Sequence, residues 1–365
     1  MSASEWREKE GRVRRIMQEK GLDAVLIRNI SNFAWLTDGV ANYVGIATAE
    51  GNSWALLTPD AKYIITNNIE AARLERDELL AEQGYRLVAT PWHEAESPVA
   101  RLTQGMTLGA DGSYPGATNV SAELARWRQV LLPGERQRYR ELCADCGEAI
   151  QAAAMEVQPG LSEHQIAGLV ARQLYARGIT PLVLLIAVDE NVWRYRHPLP
   201  TNKIMERYAM LVVGGRRRGL IGSVSRLVHF GALSEELQRK EQAVARVDAT
   251  IIAATRPGAL VADIFRQIVA AYAEVGYADE WRYHHQGGAI GYESREFKAM
   301  PDSTQIVQAN QAYAWNPSIA GVKSEDTILI GENSAEIMTD VGHWPMIPIE
   351  IGGQVIRRPA ILRVM

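Results

Sequence analysis

An internal repeat in the second half of the chain limits its possible folds more than any other feature. Each copy consists of a helical stretch, a Pro-Gly pair and a second helical stretch that ends in glycine. Proline cannot donate a backbone hydrogen bond and glycine tolerates the turn, so Pro-Gly is typical of a break between two helices. In both copies the two glycines lie 18 residues apart. The copies cover residues 135–178 and 235–276.

Strand-like apolar segments follow each helix pair. After the first pair they are PLVLLIAV, YAMLVVGG and GSVSRLVHF, and after the second they are AYAWNPSIA, KSEDTILIG and SAEIMT. We interpret this order as a duplicated unit of a helix pair plus a sheet. Such a duplication creates a central groove with pseudo-twofold symmetry, and this groove is the natural place for a functional site.

The first third of the chain has a different pattern, of short apolar runs closed by Gly, Asn or Asp. A polar amphipathic helix is predicted at 5–20, and strands are predicted at DAVLIRN, NFAWLTDG, YVGIATAEG, NSWALLTPD, AKYIIT, YRLVAT and TLGADG. Helices are predicted at 68–83 and near 95–104. The alternation indicates a small α/β domain that ends near residue 125, before a boundary marked by Pro133 and Gly134.

Composition excludes several classes of function. The 365 residues are 47% hydrophobic and 22% charged, as in ordinary globular proteins, and the net charge of -4 argues against a nucleic-acid partner. No apolar run reaches 18 residues and the N-terminus lacks an apolar signal core, so we expect no membrane association and a cytoplasmic location. Cys143 and Cys146, the only cysteines, are interpreted as reduced thiols on a helix.

Six segments in matching order resemble the creatinase/prolidase/methionine-aminopeptidase superfamily. They are NFAWLTDG, QPGLSEHQIAGLV, the stretch from Val212 to Arg226, HHQGGAIGYESRE, WNPS and KSEDTILI. The resemblance implies an α+β chain, with a creatinase/prolidase-like N-terminal α/β domain at 1–127 and a pita-bread domain with an internal pseudo-twofold repeat at 134–365. It also implies a homodimer, in which the loop at Asn42 and Tyr43 lies where family dimers pass a loop into the neighbouring subunit's site.

The chain departs from this superfamily at the metal ligands. Family metallopeptidases use two Asp, one His and two Glu to hold a pair of divalent ions, whereas the corresponding positions here are Val212, Ser223, Gly288, Asn316 and Glu325. One carboxylate and one amide cannot neutralise two divalent charges or complete their coordination. The sequence therefore predicts no metal cofactor of the family type, and no other cofactor.

Creatinase is the member of the superfamily that hydrolyses a C–N bond without metal, and parts of this chain resemble it. His197, in RYRHPLPTNK, is predicted to transfer a proton, because a histidine titrates near neutral pH. Arg295 offers a planar fork that matches a substrate carboxylate, and Glu325 is predicted to orient the scissile group or a water. Ser225 lies where creatinase has a second glutamate, so creatine itself is a poor match.

Further substrate contacts are predicted at His285, with His284 beside it, and at Asn316, Ser225 and Tyr43. His284 and His285 could instead end a strand, or bind a metal in a new way together with Glu325. Arg295 could be a structural partner of an adjacent glutamate, and Glu325 could be paired with Lys323.

Three functions follow from these observations. The leading hypothesis is a metal-independent hydrolase of a small carboxylate-bearing amide, ureido or guanidino acid. The first alternative is a non-catalytic pseudo-peptidase that binds a metabolite or peptide. The second is a metal-dependent Xaa-Pro dipeptidase or aminopeptidase.

Overall fold

The computed structural model describes residues 5–78, 80–94 and 97–365. These residues divide into two compact units. Unit 1 comprises the described residues up to Gly134 together with Arg218–Leu220, and unit 2 comprises Glu135–Arg217 and Ile221–Met365. None of the described helices combines the length and the apolar character needed to cross a bilayer.

Unit 1 is built on a mixed six-stranded sheet in the order β4-β3-β2-β1-β5-β6. Alternate strand residues fill its core, which includes Ala24, Leu26 and Leu56. The helices are α1 (Glu5–Lys20), α2 (Ile30–Leu36), α3 (Ala71–Arg76), α4 (Val99–Leu102) and α5 (Ser121–Arg128). The strands are β1 (Ala24–Asn29), β2 (Glu50–Leu57), β3 (Lys62–Asn67), β4 (Arg86–Thr90), β5 (Leu108–Ala110) and β6 (Thr118–Asn119).

Two strands predicted in unit 1 are wrong. NFAWLTDG lies mostly in α2, whose seven residues are all buried, and a short apolar run does not distinguish a strand from a buried helix. The hydroxyl of Thr37 donates to the carbonyl of Phe33 at 2.7 Å and closes this helix. YVGIATAEG forms no strand before Glu50, because its side chains are largely exposed. The helices predicted at 68–83 and near 95–104 are shorter than expected, and residues 79, 95 and 96 lie outside the described residues.

Unit 2 contains the predicted pair of helix hairpins. The helices are α6 (Pro133–Glu156), α7 (Glu163–Tyr175), α8 (Glu190–Arg194), α9 (Glu235–Ala254) and α10 (Val261–Glu274), with a short 3-10 helix at Glu280–Tyr283. Ser162 begins α7 through a capping box with Gln165, and Ser234 caps α9. The four repeat glycines all have positive φ, between 67° and 93°, which explains why glycine is needed at each break.

The strands of unit 2 form a five-stranded antiparallel sheet, β11-β10-β12-β15-β16, a four-stranded sheet, β19-β9-β8-β7, and two two-stranded sheets, β13-β14 and β17-β18. Thr327 of β15 and Ser223 of β9 exchange two hydrogen bonds of 2.8 Å and join the two sheets. The strands are β7 (Thr180–Val188), β8 (Tyr208–Arg217), β9 (Leu220–Phe230), β10 (Gly287–Ile290), β11 (Phe297–Lys298), β12 (Ala312–Trp315), β13 (Ser318–Ile319), β14 (Val322–Lys323), β15 (Asp326–Ile330), β16 (Ala335–Ile337), β17 (Met346–Ile351), β18 (Gln354–Pro359) and β19 (Leu362–Val364).

A buried ion network connects four elements of this unit. Asp326 of β15 accepts from Arg226 of β9 at 2.9 Å and from Arg358 of β18 at 2.7 Å. Arg358 also donates to Asp248 of α9 at 2.8 Å. All four side chains are almost fully buried, and two guanidinium groups balance two carboxylates. The network therefore fixes β15 at the point where it follows Glu325.

The two cysteines lie in α6 and are buried, as free thiols. Burial raises the pKa of Cys143, and it raises the pKa of Cys146 to about 12. Thiols with such pKa values are inert at neutral pH.

Candidate functional site

A cavity of about 380 Å³ lies in unit 2 beside the junction of the two sheets. Its lining combines apolar side chains with histidine, charged and hydroxyl groups. A small ligand fits this volume and this mixture of surfaces. The lining residues are Val183, Leu185, His197, Val212, Val213, Gly214, Ser223, His285, Ser294, Arg295, Asn316, Lys323 and Glu325. A larger cavity of about 730 Å³ elsewhere in unit 2 contains no histidine in its lining.

Four of the five positions that correspond to family metal ligands surround this cavity. Val212 lies on β8, Ser223 on β9, Asn316 directly after β12, and Glu325 directly before β15. The fifth position, Gly288, lies in β10 between its two partner strands. The tertiary structure thus places the sequence-predicted ligand positions at one site.

Glu325 forms a hydrogen bond and two ion pairs with neighbouring side chains. Its carboxylate accepts from Ser225 at 2.6 Å, pairs with the ammonium of Lys323 at 2.7 Å, and lies 3.6 Å from the guanidinium of Arg295. Burial alone would raise the pKa of Glu325, but the positive charges of Lys323 and Arg295 outweigh it and lower the pKa. Glu325 is therefore an ionised carboxylate at neutral pH, held by two cations.

Arg295 and Asn316 present unused polar atoms. The Nη1 of Arg295 donates to the carbonyl of Ser294 at 2.6 Å, whereas its buried Nε has no hydrogen-bond partner in the described part of the chain. Burial lowers the pKa of Arg295, and the charge of Glu325 opposes this effect. The buried Oδ1 of Asn316 also has no partner among the described residues. Both residues line the cavity, so a side-chain rotation would bring this donor and this acceptor to a ligand there.

Three histidines meet at this site, and we call them the histidine cluster: His197, His284 and His285. The Nε2 atoms of His197 and His284 lie 3.0 Å apart, and one ring nitrogen of each histidine lies within 4.8 Å of the other two. His284 and His285 follow the short 3-10 helix, and His197 lies in the loop after α8. His284 is buried, His285 is half-buried and His197 is exposed.

The cluster is held neutral by its surroundings. Burial, together with the charge of Lys323, lowers the pKa of His284 to about 2. Burial and the charge of Arg295 lower the pKa of His285 to about 4, and burial followed by Lys323 lowers that of His197. All three rings therefore have a nitrogen lone pair at neutral pH.

The donor set does not fit the metal pair that the superfamily implies. The methyl groups of Val212 offer no ligand atom, and the hydroxyl of Ser223 and the amide of Asn316 bring no negative charge. The single carboxylate, on Glu325, is already bonded to Ser225 and Lys323. A pair of divalent ions would therefore lack both ligands and charge compensation.

The backbone also excludes a histidine at position 288. A Cβ atom on Gly288 would lie 2.1 Å from the carbonyl oxygen of Phe297, with a backbone φ of +155°. We expect Gly288→Ala to lower the free energy of unfolding by about 1–3 kcal/mol, because β10 and β11 must separate to admit the methyl group. Urea unfolding measures this loss.

Gly168→Ala is the matched control, since nothing lies within 4 Å of its Cβ position in α7 and alanine favours a helix. Equal stability of the two variants would show that β10 accepts a side chain at position 288.

The remaining predicted site residues have different positions. Ser225 is fully buried, donates to Glu325 and is absent from the cavity lining, so a direct substrate contact at Ser225 stays a prediction. Tyr43 lies in unit 1, in the loop between α2 and β2, and its contact with a second copy of the chain stays a prediction. His284 contacts His197 directly, although the sequence favours His285 over His284 as the site residue.

From the sequence, Lys323 is considered only as a possible partner of Glu325, and not as a residue of the cavity. It lines the cavity as well as pairing with Glu325. Residues two apart in an extended segment face the same side, so the spacing of Lys323 and Glu325 contained this signal.

Comparison with known proteins identifies the family. Residues 137–332 match metallopeptidase family M24, and residues 11–156 match the creatinase/prolidase N-terminal domain. The chain belongs to metallopeptidase family M24, and it has the two-part prolidase-like fold with a pita-bread domain. The resemblance and the fold class drawn from the sequence are thereby confirmed, and the prediction of a hydrolase acting on C–N bonds agrees with this family.

Individual relatives are distant. An uncharacterized peptidase of Bacillus subtilis is 23% identical over 347 residues, which is 90% of this chain and 96% of that protein. The match to an uncharacterized peptidase of Staphylococcus haemolyticus, 21% identical, spans 65% of that protein's length. A prolidase structure from Pyrococcus horikoshii has a TM-score of 0.77 at 19% identity, covering 91% of this chain and 98% of that one.

Proposed function

We propose that this chain is a hydrolase of a short, dipeptide-like substrate with a free carboxylate, and that it breaks a C–N bond without the metal pair of its family. The proposal is supported above all by one observation: the cavity places neutral imidazoles beside an excess of positive charge. The family and its prolidase-like relatives support a peptide-like substrate. The cavity of about 380 Å³ suits a ligand of that size.

The charges of the residues that line the cavity determine which end of the substrate binds there. Arg295 and Lys323 contribute two positive charges to the cavity and Glu325 contributes one negative charge. With the histidine cluster neutral, the lining residues carry one positive charge more than negative charges, because both cations share Glu325. A substrate carboxylate supplies the missing charge, and the free Nε of Arg295 supplies a donor for it.

Proton transfer follows from the neutral state of His197. Water attacks the carbonyl carbon of the scissile amide while His197 accepts a proton from that water. The C–N bond then breaks as His197 returns the proton to the leaving nitrogen. His284 positions His197 through their Nε2 contact, Glu325 holds Lys323 and Arg295 in place, and the free Oδ1 of Asn316 accepts from a substrate N–H.

A metal-dependent Xaa-Pro dipeptidase is the second candidate, and the names of similar proteins favour it. Proteins named Xaa-Pro dipeptidase from Pyrococcus horikoshii and Pyrococcus furiosus are 22% and 21% identical to this chain over about nine-tenths of its length. The donor set around Glu325 argues against it. A pseudo-peptidase, which binds a ligand without turnover, is the third candidate, and the experiment must distinguish it from the other two.

The test combines elemental analysis with a substrate panel. Purified protein is analysed for metals, treated with a chelator, and incubated with dipeptides, Xaa-Pro dipeptides included, and with ureido acids. Each substrate is also offered as its C-terminal amide. We expect turnover of free acids that survives chelation, and none of the amides. Two ions per chain with activity lost on chelation would replace the proposal by the dipeptidase, and saturable binding without any product would replace it by a pseudo-peptidase.

Removing the guanidinium of Arg295 is expected to weaken binding of the substrate carboxylate. A hydrogen bond to a charged group contributes about 1.5–3 kcal/mol, so Arg295→Gln should raise KM by about 10- to 100-fold. Steady-state kinetics on a free acid measure the change. Arg282→Gln is the control, because Arg282 is exposed and pairs with Asp279 outside the cavity. An unchanged KM in Arg295→Gln would assign the carboxylate to another residue.

A further inference from the structure

We propose that the histidine cluster binds a single divalent transition-metal ion, with zinc as the best match. The observation is the convergence of one ring nitrogen each from His197, His284 and His285 within 4.8 Å. None of these residues occupies a position that corresponds to a family metal ligand, so this site is distinct from the family's metal pair. It shares the cavity with the proposed function but does not depend on it.

The spacing of the nitrogens approaches that of a tetrahedral site. Zinc–nitrogen bonds of about 2.0–2.1 Å place two imidazole nitrogens about 3.3 Å apart. The Nε2 atoms of His197 and His284 are 3.0 Å apart, and the third nitrogen lies within 4.8 Å. Small rotations of the exposed His197 and the half-buried His285 therefore bring all three onto one ion, while the buried His284 stays in place.

The electronic state of the rings favours this ligation. Metal ions bind the deprotonated nitrogen, so a protonated histidine must first release its proton. The lowered pKa values of the three rings remove this competition at neutral pH. The Nε2 contact between His197 and His284 places these two nitrogens side by side. A bound ion replaces the hydrogen that they share, which moves to the Nδ1 atom of the donor ring.

The nature of the ligands selects the ion. Three nitrogens without a carboxylate suit Zn²⁺, Co²⁺, Ni²⁺ or Cu²⁺, whereas Mn²⁺, Mg²⁺ and Ca²⁺ prefer oxygen. The charges of Lys323, Arg295, Lys298 and Arg196 reach the cluster and repel any ion that relies on charge attraction alone, with Glu325 as the opposing charge. An ion bound here must be held by coordinate bonds to imidazole, which again favours zinc over manganese.

Hydrogen bonds that orient the three rings would set the strength of metal binding. The coordination position that the histidines leave open would set the use of the ion. The Nδ1 atoms of His284 and His285 are buried and have no hydrogen-bond partner within residues 5–78, 80–94 and 97–365. Without partners that orient these rings, we expect an affinity about 10–100-fold below that of a site that has them. His197 and His285 line the cavity, so the fourth coordination position faces it and can take water or a substrate atom.

Titration of the chelator-treated full chain with Co²⁺ and Zn²⁺ tests the site. We expect one Co²⁺ per chain with the visible spectrum of tetrahedral coordination, displaced by Zn²⁺, and no saturable binding of Mn²⁺. His285→Ala and His197→Ala should each lower the affinity at least about 100-fold, since a lost ligand costs more than a lost outer partner. His164→Ala, which alters an exposed histidine bonded to Asn202, should bind as the unmodified chain does.

Failure of the metal site and failure of the proposed function give different results. Absence of saturable Co²⁺ binding, or unchanged affinity in both His285→Ala and His197→Ala, would overturn the site whatever the enzyme does. Zinc at the cluster takes the lone pair of His197, so we expect hydrolysis to slow in parallel with occupancy. One zinc bound per chain with a faster reaction would leave the site intact and overturn the role of His197 in proton transfer.

Discussion

Replacing His197 by alanine is expected to lower kcat/KM by about 10²–10⁴-fold, the range typical of a general acid–base group. His197 is the exposed member of the histidine cluster; it lines the cavity, and its Nε2 atom contacts that of His284. In the proposed reaction no other imidazole of the cluster replaces it, because the pKa values of His284 and His285, lowered to about 2 and about 4, make both rings poor proton acceptors. The fold should be unaffected, since an exposed side chain contributes little packing.

The measurement uses whichever substrate of the panel is turned over, with circular dichroism as a check on folding. His164→Ala is the matched control, as another exposed histidine of unit 2 outside the cavity. We expect this control to retain the activity of the unmodified chain. Full activity of His197→Ala would show that His197 does not transfer the proton. The role of Arg295 in binding the substrate carboxylate would be unaffected by that result.

Replacing Asp326 by asparagine is expected to lower the free energy of unfolding of unit 2 by about 3–5 kcal/mol. Removing one partner of a buried ion pair leaves the other charge uncompensated in a poorly solvated place. Here Arg226 and Arg358 both bond Asp326, and only Asp248 would remain for two guanidinium groups. Because Asp326 directly follows Glu325, the variant should also disturb the cavity.

Urea unfolding, followed by tryptophan fluorescence, gives the change in stability. The control is Glu156→Gln, which breaks an exposed pair between Glu156 and Arg172. Exposed pairs contribute little because water and salt screen them, so this variant should unfold at the midpoint of the unmodified chain. A midpoint for Asp326→Asn equal to that of the control would show that the network does not stabilise β15.

The repeat in unit 2 could be predicted because its signals are local. Pro-Gly breaks and closing glycines at φ > 0 leave few alternatives for the backbone, and Ser162 and Ser234 mark helix starts in the same way. Unit 1 was less predictable at ISNFAWL. This run is short and apolar throughout, so its period does not separate a strand from the buried helix α2.

The donor set of the site could also be predicted, whereas its contacts could not. Val212, Ser223, Gly288, Asn316 and Glu325 follow from motif spacing, and their chemistry predicts the absence of the family's metal pair before any distance is known. The contacts of Glu325 with Lys323 and Ser225 could not be predicted in this way. They depend on how β14, β9 and β15 meet, and local sequence does not specify that.

The sequence by itself determined the family and the duplicated helix pairs, and it predicted the loss of the family's metal ligands, because residue identity and short-range spacing are sufficient for each. Only the tertiary structure decided that His197 meets His284, 87 positions later in the chain, and that two cations and a single carboxylate line the same cavity. Contacts over such separations depend on the packing of whole sheets and helices. The histidine cluster and the charge of the cavity are therefore properties of the fold.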